Sequence, residues 1–199
     1  MIHLVKVEAT GGFFLLLAWM NYLDKSFLVP MVLLACTVHE LGHLFAIQML
    51  GGTVKLIRLT VIGAEIVLAR PLGYWQEGLS ALAGPGANLL LAFLFCELDR
   101  GVVFAGLNLI LALFNLLPVG RLDGGRALFC TLALLAGPEL ARRVGLWLDW
   151  LCSAGLFVAG IILALRGNVT LLLAASWLLA AFWRANIPRE KSKFCAKTK

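Results

Sequence analysis

The apolar run over residues 28–50 carries a polar cluster near its centre, His39-Glu40-Leu41-Gly42-His43. A run of that length suits a membrane-crossing helix of about 20 residues. Ionisable groups inside such a helix need partners or a metal ion. Each helical residue advances about 100°, so positions i and i+4 nearly stack on one face. His39 and His43 can therefore offer two imidazoles to one ion, as a tetrahedral zinc site requires. Glu40 follows the first candidate ligand by one residue and can lean over a metal-held water to take its proton. Gly42 keeps the helix wall low beside that site. Two of the chain's three histidines lie in this cluster. Ordinary polar packing between helices is the competing explanation, and the metal reading is preferred.

Hydrophobic residues make up 61% of the 199 positions and charged ones only 14%, a balance outside the soluble range. The expected fold is an all-α multi-pass membrane protein with about six transmembrane helices and a short interfacial β-hairpin. One integral-membrane domain over residues 1–199 is expected, with its core at about 27–130 and a basic cytoplasmic tail at 188–199. A net charge of +6 would suggest nucleic acid for a soluble protein. Here it reads as basic residues gathered on one side of a bilayer, and no nucleic-acid partner is expected. The five cysteines (36, 96, 130, 152, 195) have no Cys-x-x-Cys spacing, so they read as small core residues. No cleavable signal peptide is expected, because no Ala-x-Ala-type site follows the first apolar run.

The expected spans cover residues 7–23, 28–50, 77–95, 102–117, 144–165 and 169–183. Ser26 is the expected N-cap of the second, Pro30 is tolerated in its first turn, and Gly51-Gly52 is its stop. His43 and His39 then lie about 12 to 18 Å down the helix from Gly51, within the membrane. Residues 53–70 are rich in β-branched side chains and carry Lys55, Arg58 and Glu65, which suits two interfacial strands better than a span. Tyr74 and Trp75 are expected at headgroup level. The stretch Ala83-Gly84-Pro85-Gly86-Ala87-Asn88 should let neighbouring helices approach closely. Asn108 and Asn115, seven apart, share a helix face. With both ends in the cytoplasm, Lys25, Arg100 and Arg166 fall outside and the other fourteen of the 17 basic residues inside. That bias points the open end of the motif helix toward the cytoplasm.

Two histidines need a third protein ligand to form a catalytic zinc site that keeps one open position. Asp123, Asp149 and Glu65 are the candidates. Asp123 is favoured because it follows the fourth span on the same side as His43, and Gly124-Gly125 permit close approach. The set His39, His43 and Asp123, with Glu40 as general base, suits metal-assisted amide hydrolysis. Asn115 could donate a hydrogen bond to a substrate carbonyl, or could simply bridge two helices.

His39-Glu40-x-x-His43, Gly84-Pro85, and Asn115-Leu116-Leu117-Pro118 with Leu122-Asp123-Gly124-Gly125 resemble the site-2 protease family of intramembrane metalloproteases. The match runs in the family's order from about residue 30 to 130. The resemblance implies zinc on His39, His43 and Asp123, catalysis by Glu40, and a substrate-positioning role for Asn115. It also implies cleavage of a transmembrane or membrane-associated protein near the cytoplasmic face of a bacterial cell membrane, with a membrane inhibitor or regulator protein as a further partner. Within the family the layout is most similar to the stage IV sporulation protein FB type. That similarity implies a pro-sigma factor as substrate and the membrane surrounding the forespore as location. Two features depart from that type. No stretch can form its common C-terminal CBS domain, and Gly120-Arg121 stand where it often has a proline.

Two other function classes compete. A membrane metal transporter or sensor would use the same ligands without Glu40 and would show further His or Asp along a path. A catalytically inactive membrane scaffold would not need the intact His39, Glu40, His43 and Asp123.

Overall fold

A computed structural model of the chain describes residues 6–60, 63–98, 101–120, 122–167 and, singly, 172, 173, 175, 176 and 180. In order, the elements are β1 (Lys6–Ala9), α1 (Gly11–Leu23), α2 (Leu28–Met49), β2 (Val54–Thr60), β3 (Gly63–Leu68), α3 (Tyr74–Phe95), α4 (Val102–Asn115), α5 (Asp123–Ala136) and α6 (Pro138–Ala164). The chain divides into two compact units, Met1–Gly145 and Leu146–Lys199. The first holds everything up to the start of α6. The second contains the rest of α6 and a turn in which Gly167 has φ +89°.

Within the first unit α3 is central, packed against α2, α4 and α5. Its outward side chains are apolar: Leu90, Phe93 and Leu94 are more than half exposed, as are Ile110 and Leu113 of α4. Inward, His39, His43, Ser80, Asn88, Asn108 and Asp123 are buried. A polar interior inside an apolar surface is the arrangement that lipid, not water, stabilises.

Three described helices are long and apolar enough to cross a bilayer: α2 and α3 with 22 residues each, and α6 with 27. At 1.5 Å per residue they reach about 33 to 40 Å, against a hydrocarbon core of about 30 Å. The shorter apolar helices α1 (13 residues) and α4 (14 residues) reach only about 20 Å. Apart from single helical positions, the expected span at 169–183 lies outside the described residues, as does the tail at 188–199.

Four expectations need correction. Residues 7–9 are not helical: Lys6–Ala9 forms a third strand, parallel to β2, so the sheet is β1-β2-β3 and not a bare hairpin. Local apolar content could not show this, because a parallel partner is supplied by residues about 50 positions away. Ser26 does not cap α2. The cap position is Phe27, at φ 59°, and the Asp24 carboxylate accepts from Ser26 N–H (2.9 Å), Leu28 N–H (3.2 Å) and Val29 N–H (2.8 Å). A carboxylate satisfies several donors at once and complements the helix dipole, which a hydroxyl does less well. These bonds hold the Asp24 carboxyl below its ordinary pKa. α3 begins at Tyr74, three residues before the expected 77, where Gln76 Oε1 accepts from Gly73 N–H and Gln76 Nε2–H donates to Leu50 O. α6 begins at Pro138 and not near 144, because its polar first turn is sustained by Glu139 paired with Arg142 at 2.9 Å.

The stop of α2 falls where Gly51-Gly52 places it. Gly51 has φ +78°, its N–H bonds Gln48 O, and Gly52 N–H bonds Ile47 O, the paired closure of a Schellman motif.

Candidate metal centre

α2 delivers two rings to one point. His39 and His43, one turn apart, meet edge to face with centroids 4.7 Å apart, and their Nε2 atoms lie 3.1 Å from each other. α5 delivers the third group, since Asp123 is its first residue and is buried. Asp123 Oδ2 stands 3.1 Å from His39 Nε2 and 3.2 Å from His43 Nε2. Glycines make this closeness possible. A Cβ on Gly84 would collide with the His43 ring, and one on Gly124 or Gly125 would collide with backbone at Leu116 or Val119.

The far nitrogens of both rings decide what the near ones can do. His43 Nδ1 faces Ser80 O at 2.7 Å, and His39 Nδ1 faces Asn88 Oδ1 at 2.6 Å. A carbonyl oxygen only accepts, so each Nδ1 carries a proton, and in a neutral ring Nε2 is then a bare lone pair. Three lone-pair atoms thus converge, all within 4.8 Å and all on buried residues. Without a cation between them they would repel. A tetrahedral zinc with bonds of about 2.0 to 2.1 Å separates its donors by about 3.3 Å, close to the spacing found here. Two imidazoles and one carboxylate, each imidazole held from behind, are a donor set that fits zinc.

Around this centre, Glu40 is half-buried and has His43, His39, Asp123 and Arg126 as its electrostatic neighbours. Arg126 lies at the rim, with Nη1 3.7 Å from Asp123 Oδ1 and Nη2 3.5 Å from Glu77 Oε1. It therefore faces the carboxylate oxygen that the histidines do not. Asn115 Nδ2 donates to Leu111 O at 2.9 Å, one turn back in α4. Glu65 is on β3, paired with Arg58, and Asp149 belongs to the second unit.

The small-residue pattern of 83–88 does not reveal Asn88 as a site residue, yet an Asn in the apolar second half of α3 is itself a sign of an interior polar partner. Ser80 could not have been found that way, because its contribution is a backbone carbonyl.

No family model matches the chain. A curated protein of Synechocystis sp., provisionally named a zinc metalloprotease, is 34% identical over 146 residues covering 64% of this chain. The chain spans 38% of the length of that relative. Among solved structures, the site-2 protease from Methanocaldococcus jannaschii superposes with a TM-score of 0.67 at 20% identity, covering 92% of this chain and 91% of that one. The chain has the fold of that site-2 protease, and the convergent His39, His43 and Asp123 lie within that fold.

Proposed function

We propose that the protein is an intramembrane zinc metalloprotease of the site-2 protease family. The observation that carries this reading is the convergence of three lone-pair atoms, from His39, His43 and Asp123, beside the carboxylate of Glu40. Zinc, when bound, supplies Lewis acidity at the scissile carbonyl and to the attacking water. Glu40 takes the water's proton on its carboxylate and returns it to the leaving amide nitrogen. His39 and His43 keep their Nδ1 protons throughout, so both Nε2 atoms stay available to the ion. The sequence similarity to the Synechocystis protein, provisionally named a zinc metalloprotease, supports the same chemistry.

The substrate in this reading is a transmembrane or membrane-associated protein, cut near the cytoplasmic face. Its helix must first unwind, because a helical peptide bond has its polar groups engaged. The sheet offers an extended segment somewhere to bind. β2 is flanked on both sides, so among the described residues β1 and β3 are the edge strands, and β3 is the one considered for substrate. Ala69 N–H bonds Thr53 O across the sheet, and alternation along β3 then turns the N–H groups of Ala64, Ile66 and Leu68 outward. Strand addition there would replace the lost helical bonds with little dependence on sequence. Asn115 is the proposed donor to the substrate carbonyl, through the Nδ2 hydrogen that its bond to Leu111 O does not use. A finer reading, the stage IV sporulation protein FB type processing a pro-sigma factor, rests on the residue pattern alone.

The test is co-expression of wild type and Glu40→Gln with candidate membrane substrates. Size-shifted products from the wild type alone are expected. Binding of zinc with no cleavage of any substrate by either form would favour the transporter or sensor reading.

A further inference from the structure

We propose that Asn88 and Asn108 are positioning residues that fix the tautomer of His39, and through it the lone pair His39 presents to the metal. This inference rests on the metal-centre reading above and goes one layer outward from it.

Both asparagines are completely buried, in helices whose outer faces are apolar. Asn88 lies on α3 and Asn108 on α4, so together with His39 they link three helices. Asn88 Oδ1 faces His39 Nδ1 at 2.6 Å, while Asn88 Nδ2 donates to Asn108 Oδ1 at 2.7 Å and to Ala35 O at 3.1 Å. Asn108 Nδ2 in turn donates to Phe104 O at 2.8 Å. No hydrogen-bonding atom of the Asn88 amide is left over among the described residues.

The direction of this chain is fixed at both ends by backbone carbonyls. Phe104 O can only accept, so the NH2 group of Asn108 must face it and Oδ1 must face Asn88. Ala35 O can only accept, so the NH2 group of Asn88 must face away from His39. Asn88 therefore offers an oxygen to His39 Nδ1, and the ring's proton belongs on Nδ1. Were Asn88 turned over, its NH2 group would need a bare Nδ1. The proton would then move to Nε2, the nitrogen that faces Asp123 and His43, and His39 could no longer act as a ligand. Asn108 opposes that turn because its oxygen would then face an oxygen. Burial makes the wrong orientation costly, since an unpaired polar group has no water to turn to.

The experiment labels the three histidines with 15N in zinc-free and zinc-loaded protein and reads by NMR whether Nδ1 of His39 carries a proton. In parallel, zinc affinity is measured by chelator competition. In wild type, Nδ1 of His39 should be protonated with and without zinc. Asn108→Leu removes one of the two acceptors that orient the Asn88 NH2 group and leaves Ala35 O, so a population with a bare Nδ1 should appear and zinc should bind about 10-fold more weakly, the low end of the range for a lost ligand support. Asn108→Asp, as a neutral acid in apolar surroundings, keeps an acceptor for Asn88 and a donor for Phe104 O. It should restore both readouts. A bare His39 Nδ1 in zinc-free wild type would overturn the proposal without any variant. So would an Asn108→Leu protein with unchanged affinity and tautomer, or equal losses in Asn108→Leu and Asn108→Asp, which would mark a packing role. Wild type that binds no zinc would instead defeat the metal reading, while the NMR result would still decide the asparagine chain.

Discussion

Gly84→Ala places one methyl group where the metal centre has no room. The added Cβ would fall onto the His43 ring, in overlap with Nε2, 2.5 Å from Cε1 and 2.9 Å from Cδ2. Carbon atoms rest about 3.5 to 4.0 Å apart, so the ring must retreat by about 1 Å or α2 and α3 must separate. Neither movement is free. The ring is tied through Nδ1 to Ser80 O at 2.7 Å, and Gly42 already sits so close to α3 that its own Cβ would lie 2.7 Å from Ala83 O. A retreat of that size breaks the contact holding the ring from behind. Loss of such a support weakens metal binding by about 10- to 100-fold, or about 1.4 to 2.8 kcal/mol. Gly86→Ala is the matched control: it lies two residues along the same helix with nothing within 4 Å of a Cβ. It should leave zinc affinity unchanged and stabilise α3 by up to about 1 kcal/mol through helix propensity. Zinc affinity of both variants by chelator competition, alongside cleavage of a verified substrate, makes the comparison. Wild-type affinity and cleavage in Gly84→Ala would refute the geometry described for the His43 side of the centre.

Asp123→Ala should release zinc more readily than wild type, and unchanged zinc content and activity would move the third ligand elsewhere. Ile66→Pro removes an outward N–H from β3 and should cut cleavage while zinc stays bound; wild-type cleavage would return the sheet to a passive surface element. Val67→Pro is the less selective variant, because Val67 N–H turns inward toward β2, and Val61 lies outside the described residues. Asp24, with its folded pKa below the ordinary 3.8, contributes stability that is complete above about pH 4 and is lost as pH falls through the depressed value. Thermal melts of wild type and Asp24→Ala should therefore differ at neutral pH and converge in acid, and a pH-independent gap would contradict that role. Single cysteines at Thr53 and Lys199, in a background without the native cysteines, should label from the cytoplasmic face; labelling from the outer face alone would reverse the orientation.

What could be read from the sequence follows the range of the forces involved. The His39–His43 pair depends only on helical period, and the stop at Gly51 only on a local conformation that glycine tolerates, so both were legible. Asp123 could be nominated because Asp-Gly-Gly marks a turn that can approach another backbone closely. β1 was hidden, since its partner in β2 is distant in sequence and its residues also suit the start of an apolar helix. The Asp24 cap was hidden by a nearer serine with a respectable capping propensity. Asn88 and Asn108 carried a signal in their polarity, but their partners depend on how α2, α3 and α4 pack. Ser80 contributes only a carbonyl, which every residue possesses.

The activity proposed for this chain is peptide-bond hydrolysis with a zinc ion held by His39, His43 and Asp123 and a proton carried by Glu40. The most direct test reconstitutes purified wild type and Glu40→Gln in lipid vesicles with one verified membrane substrate, measuring zinc content and cleavage on the same samples before and after chelation. About one zinc per chain in both proteins is expected, with cleavage by wild type only, lost on chelation and restored by added zinc. Cleavage that survives complete removal of zinc, or that Glu40→Gln performs at the wild-type rate, would contradict the account.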